Sequence, residues 1–227
     1  MKNIYLLIIL LFIISCGKDK VVQLPEINHS DISEISDVSA AYLFYDKSNS
    51  EGFELNRKNL ISTTNWLVNV DKRLTLKQVF PQLKFLQNKK QNSEHKNENA
   101  KNYFTCNDLG RKNLGFMEFT DVIYHEESSE TYMAKISEFE DAKNLKPISF
   151  NLNGDISIIN PNSEPFIIMT NKNQLINDLK KMDTIESTLY FNFNEKLTFQ
   201  EYITYKSMVL KSDFKNLKIS NQEFLYN

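Results

Sequence analysis

Apolar and polar positions along this chain follow two periods. Short runs rich in apolar and aromatic residues, whose side chains would point to alternate faces of a sheet, read as strands at 42–45, 53–55, 66–70, 103–106 and 115–125. In the last of these, Phe116, Glu118, Thr120, Val122 and Tyr124 fall on one side, and Met117, Phe119, Asp121 and Ile123 on the other. Helical spacing appears over 75–90, where Leu76, Val79, Phe80, Leu83 and Leu86 share a face. It returns over 171–182 with Leu175, Ile176, Leu179 and Met182, and over 198–211. Apolar runs at 148–152 and 156–159 flank Asn153-Gly154, a pair that favours a tight hairpin turn. Further strands are expected at 165–169, 189–193 and 217–219, and a strand followed by a turn or short helix within 126–146. Pro81 inside the first helix removes a hydrogen bond, so that helix either kinks or starts nearer Phe80.

The same pattern occurs twice. Asn69-Val70-Asp71-Lys72-Arg73-Leu74-Thr75-Leu76-Lys77-Gln78 aligns with Asn192-Phe193-Asn194-Glu195-Lys196-Leu197-Thr198-Phe199-Gln200-Glu201. Each segment reads as a strand, a polar turn and a threonine N-cap. Gln78 or Glu201 follows three residues later to complete a capping box. Upstream, Asn56-Arg57-Lys58-Asn59-Leu60-Ile61 is similar to Asn171-Lys172-Asn173-Gln174-Leu175-Ile176, with a shorter helix expected in the first copy. These matches predict an α+β protein of two related β-β-α-β-α-β halves, with mixed sheets and helices on one face. The halves are expected over 38–127 and 128–227.

The element order of the second copy resembles the periplasmic domain of the ExbD/TolR family of envelope energy-transducing proteins. The elements carrying the resemblance are the hairpin from Ile148 to Ile159, a helix to Met182, a strand to Glu195, the helix from Thr198 to Lys211 and the strand from Leu217 to Ile219. The first copy is similar more loosely. The resemblance implies a periplasmic binding module that contacts partner proteins or peptidoglycan. That family carries an amino-terminal membrane span with a functional aspartate, for which this chain has no counterpart, so proton-driven work is not implied.

The amino terminus departs from both periods. Lys2 precedes an apolar run over 4–14, broken only by Tyr5, and then Ile13-Ile14-Ser15-Cys16-Gly17. The run is shorter than the roughly 20 residues of a membrane-spanning helix and reads as a secretory signal. Ile13 to Cys16 resembles the lipobox of bacterial lipoproteins. That resemblance implies cleavage before Cys16, a diacylglycerol on its thiol, and fatty acids such as palmitate that hold the chain on a membrane. Gly17 after the cysteine is similar to the pattern of lipoproteins sent to the outer membrane. Residues 1–15 are thus expected as a cleaved signal, and 16–37 as the lipidated cysteine with a flexible polar tether.

Composition narrows the chemistry. With 27 basic and 29 acidic residues the formal charge is −2, which leaves no electrostatic footprint for nucleic acid. Sixteen Phe and ten Tyr supply a core for a chain with one Trp. Once Cys16 is acylated, Cys106 is the only free thiol. It sits in an expected strand and reads as a core residue. The three histidines, His29, His95 and His125, form no metal-ligand spacing, although His125-Glu126-Glu127 is a loose candidate. No catalytic or cofactor motif is present, and no cofactor is expected. The expected role is a non-enzymatic, membrane-anchored binding or scaffolding module of the envelope. A candidate partner surface lies on the paired turns: Asp71, Lys72, Arg73, Asn194, Glu195 and Lys196. The alternatives are a cell-surface hydrolase with two carboxylates in one cleft, or a small-ligand carrier with an enclosed apolar pocket.

Overall fold

A computed structural model describes residues 20–135, 144–161 and 163–227. The signal run and Cys16 lie outside the described residues, as do most of 136–146. Among the described residues there are two six-stranded mixed sheets and four helices. The first sheet holds β1 (Glu26–Ile27), β2 (Val38–Tyr45), β3 (Phe53–Asn56), β4 (Asn65–Val70), β5 (Asn102–Asp108) and β6 (Asn113–Glu118). The second holds β7 (Ile123–His125), β8 (Leu145–Phe150), β9 (Asp155–Ile159), β10 (Ile167–Asn171), β11 (Ser187–Asn194) and β12 (Leu217–Tyr226). The helices are α1 (Leu76–Gln91), α2 (Ser129–Lys135), α3 (Leu175–Met182) and α4 (Phe199–Leu210). No helix among the described residues is long and apolar enough to cross a membrane.

The two sheets share a four-strand pattern. In the first the order is β3-β2-β4-β5, with β2 and β3 antiparallel and β2, β4 and β5 parallel. In the second, β9-β8-β11-β12 repeats the same senses. The parallel step from β4 to β5 is bridged by α1, and that from β11 to β12 by α4. Both helices carry the capping box expected from sequence: Thr75 N–H donates to Gln78 Oε1 at 3.0 Å, and Thr198 N–H to Glu201 Oε2 at 2.7 Å. The expected α+β class with two similar halves is what the chain adopts.

Several elements differ from expectation for tertiary reasons. The helix expected after Asn56 is replaced by turns, while α3 forms after Asn171. What the two asparagines share is a local bond: Asn56 Oδ1 accepts from Lys58 N–H at 3.2 Å, and Asn171 Oδ1 from Asn173 N–H at 3.0 Å. The alternation over 115–125 is cut into β6 and β7, which belong to different sheets. Gln87 of α1 holds this crossing, its amide donating to the carbonyls of Phe119, Thr120 and Val122 at 3.2, 3.4 and 2.9 Å. The strand expected from Thr131 is instead the helix α2. Ser128 Oγ caps it by accepting from Thr131 N–H at 3.2 Å. Pro81 is accommodated without displacing the start of α1, which begins at Leu76.

Residues 20–37, expected as a flexible tether, are part of the body. Strand β1 pairs in parallel with β5, and Phe116 N–H donates to Ile32 O at 3.1 Å. Gly115 makes this approach possible, since a Cβ there would sit 2.6 Å from Ser30 Cβ. The first half therefore begins well before residue 38, and β7, expected in it, joins the second sheet.

One core serves both halves. Tyr202 of α4 packs edge-on against Phe80 of α1 (5.7 Å), Phe104 of β5 (6.2 Å) and Phe193 of β11 (5.0 Å). Helix α1 touches β7 of the second sheet and α4 touches β1 of the first. The capped helices thus link the two sheets through a continuous buried cluster. Because each cap is built from its own threonine, Thr198→Ala should destabilise the fold by about 1 kcal/mol. A urea melt followed by far-ultraviolet circular dichroism should show a lower midpoint with an unchanged slope.

Candidate functional site

The paired turns meet each other. Leu76 N–H donates to Leu197 O at 2.9 Å, and Phe199 N–H donates to Leu74 O at 2.7 Å. Lys77 N–H reaches Glu195 O at 2.9 Å, and Gln200 N–H reaches Lys72 O at 3.1 Å. Thr75 and Thr198 form the bridge between these reciprocal bonds. Of the six residues singled out from sequence, Asp71 is buried, accepting from the Arg73 side chain twice at 2.8 Å and from Gln23 N–H at 3.1 Å. Burial opposes its ionisation, but the Arg73 fork and the backbone N–H groups hold its carboxyl below the ordinary range. Lys72 pairs with Glu26 at 2.6 Å. Arg73 lies over the Tyr45 ring at 4.4 Å. Asn194 Oδ1 accepts from Lys196 N–H at 3.0 Å, mirroring Asp71 and Arg73 N–H at 3.1 Å. Glu195 pairs with Lys77 at 2.9 Å. The backbones of these turns join one half to the other, which leaves Arg73 and Lys196 as their exposed side chains.

A second anchor lies at Asp108. Its carboxylate accepts from the N–H groups of Ser30 (2.6 Å), His29 (2.9 Å), Gly110 (3.0 Å) and Arg111 (3.1 Å). These bonds, that of Ser30 foremost, hold the acid at about 2 against the cost of burial. Sequence reading missed Asp108, because two of its four partners, His29 and Ser30, lie 79 and 78 positions upstream.

A buried charge network lies between α4 and β12. Lys206 pairs with Glu223, with side chains only 4% and 2% exposed. Tyr202 Oη donates to Glu223 at 2.7 Å and accepts from Lys206 at 3.2 Å. Tyr124 Oη lies 3.5 Å from Tyr202 Oη. Burial, reinforced by the nearby carboxylate, raises both phenols well above their ordinary range. Eight residues past its cap, where α4 has Lys206, α1 has Leu83, so this network belongs to one half only. With no acid at helical spacing to announce it, the pair was not legible in the sequence.

Three features remain. A cleft of about 410 Å³ is lined by Lys77, Glu126, Glu127 and Glu195. Each acid is already paired, Glu126 with Lys84, Glu127 with Lys135 and Glu195 with Lys77. A second cleft of about 750 Å³ runs between α1 and the β6–β7 crossing, lined by Lys84, Gln87, Gln91, Asp121 and Tyr124. Both are open and mix polar with apolar surface, unlike the enclosed apolar pocket of a small-ligand carrier. His125 stacks on Phe224 at 4.5 Å with burial lowering its pKa, and no acidic, His or Cys cluster among the described residues is arranged to hold a metal. Cys106 is fully buried, its thiol pushed up to about 12 by burial.

The third feature is an edge. Among the described residues strand β10 pairs only with β9 and terminates the second sheet. Asn160 N–H donates to Phe166 O at 2.8 Å. Alternation of paired and unpaired positions in an antiparallel ladder then turns the backbone groups of Ile167, Met169 and Asn171 outward. Phe166, Ile167 and Met169 are 51%, 50% and 62% exposed, and Ile167–Asn171 carries no charge. Charged residues or short length ordinarily protect such edges. Strand β3, the end of the first sheet, carries Glu54, and the outer side of β6 is met by Ser30 and Ile32.

Comparison with protein-family models, with characterised proteins and with solved structures finds no match for this chain.

Lys206→Met alone leaves Glu223 buried without its cation and should cost about 3–5 kcal/mol. The double variant Lys206→Leu, Glu223→Leu should recover most of that loss in the same chemical denaturation. For Asp108 the depressed acid contributes stability that is full above the ordinary carboxylate value near pH 4. That contribution is lost as pH falls through about 2. Amide exchange at His29 and Ser30 should therefore rise, relative to the intrinsic rate, on going from pH 5 to pH 2, and Asp108→Asn should raise it already at pH 5.

Proposed function

We propose that this chain is a lipid-anchored envelope protein that binds an extended segment of a partner protein along β10, without catalysing a reaction. The observation that carries the reading is the uncharged edge, unpaired among the described residues, with Phe166, Ile167 and Met169 beside it. Strand addition takes affinity from main-chain hydrogen bonds and specificity from alternate side chains. An edge of this kind meets a polypeptide better than a glycan, so the partner is an envelope protein rather than peptidoglycan. The address comes from Ile13-Ile14-Ser15-Cys16-Gly17, which directs the chain to the outer membrane with Cys16 lipidated. The order hairpin, helix, strand, capped helix and strand in the second half, with β10 added between hairpin and helix, supports a binding module similar to the ExbD/TolR periplasmic domain.

A second reading, a hydrolase, is favoured by the cleft that gathers Glu126, Glu127 and Glu195. Against it stands the lysine already paired to each of them, which occupies the carboxylate oxygens that a substrate or an attacking water would have to reach.

Charging the edge separates the two readings. Ile167→Lys with Met169→Lys should abolish cross-linking in native envelopes to the partner captured by the wild-type chain. Lys196→Glu, away from the edge, should leave it intact. Turnover of glycan or ester substrates that disappears with Glu195→Gln and survives the edge variant would replace the binding reading with the hydrolase.

A further inference from the structure

The anchor leaves the body little freedom. From Lys20 onward the chain is bonded to the first half. Lys20 pairs with Asp46 at 2.7 Å and with Glu54. Gln23 N–H donates to Asp71 at 3.1 Å, Lys72 N–H to Gln23 O at 2.7 Å, and Asn107 N–H to Pro25 O at 2.8 Å. Cys16 is four positions before Lys20. Whatever path those residues take, they span at most about 14 Å. A headgroup layer occupies roughly 5–8 Å of that on one side of a bilayer.

The surface beside Lys20 is apolar. A groove of about 450 Å³ is formed by Val21, Val22 and Leu24 against Tyr42 and Phe44 of β2. Val21 is 73% exposed and Tyr42 36%, and the Tyr42 and Phe44 rings stack at 5.8 Å. Lys20 is taken up by two acids, and the three groups together carry a net charge of −1, so this face offers apolar contact area and no cation to attract anionic lipid. A tyrosine with an apolar body and a polar tip suits the boundary between acyl chains and headgroups.

We infer that this outer face of the first sheet, centred on Val21, Tyr42 and Phe44, lies on the bilayer that holds the lipidated Cys16. The inference rests on the anchor reading. It adds that the body is docked on the membrane in one orientation instead of swinging on a tether. The face seats shallowly, as interfacial elements do. Because the contact is apolar, it is insensitive to salt.

The test uses the full lipidated chain in vesicles of phosphatidylethanolamine and phosphatidylglycerol whose acyl chains are brominated. Trp66, the native tryptophan, is buried and gives a constant background. Tryptophan placed at Tyr42 (Tyr42→Trp) should be quenched several-fold more than tryptophan at Leu152 (Leu152→Trp), on the β8–β9 turn of the other sheet. The difference should persist in high salt. Val21→Trp provides an independent reporter should Tyr42→Trp fail to fold. Protein that floats with the vesicles while both faces are quenched equally, or not at all, overturns the docked orientation and leaves the anchor standing. Wild-type protein that does not float defeats the anchor reading, and the orientation with it.

Discussion

The reciprocal pairing of the two threonine turns is the constraint on which the rest of the molecule depends. Four backbone hydrogen bonds run between 72–77 and 195–200, each with its counterpart from the other half. Backbone bonds at helix starts satisfy donors that a helix cannot satisfy internally. Here Leu76, Lys77, Phe199 and Gln200 give theirs to the opposite turn. The two helices are thereby seated side by side. The aromatic core then follows from the helices, with Phe80, Phe104, Phe193 and Tyr202 meeting where they and the sheets converge.

Each half departs from the shared plan where it has its own task. The first half recruits residues 20–37 through Asp108, whose four backbone donors replace the water lost on burial. An ionised carboxylate with several N–H donors is a strong local tie, and it helps make residues 20–37 part of the body. The second half adds β10 and α3, and so acquires an uncovered edge. It also replaces an apolar position in its capped helix with Lys206, paired to Glu223. Such a pair contributes little net stability relative to apolar residues, yet it penalises any packing that separates the two charges.

On the proposed reading these departures divide the roles between the halves. The first half would carry the attachment, with its outer face beside Lys20. The second carries the edge, where Phe166, Ile167 and Met169 are free of any neighbouring strand among the described residues. The turns themselves, with their dense charge, read from sequence both as devices that end strands and cap helices and as a candidate partner surface. Their backbones and most of their side chains are taken up inside the chain, because polar groups at a seam are hydrogen-bonded partners as readily as they are ligands for others.

What the sequence determined by itself is local. Thr75 with Gln78 and Thr198 with Glu201 name their helix starts, because a capping box spans only four residues. Asn153-Gly154 names its hairpin, with Gly154 at φ +85° where other residues are strained. The repeat was legible for the same reason, as both copies use the same local device. The tertiary structure alone decided which side of each device faces inward. The split of 115–125 depends on Gln87, the ordering of 20–37 on Asp108, and the conversion of an expected strand into α2 on packing of Tyr132 against His125 and Phe224. In each case a deciding partner, Gln87, Asp108 or Phe224, is too distant in sequence for periodicity to register. Burial of a polar or aromatic group against it outweighs the weak preference of the segment for alternation.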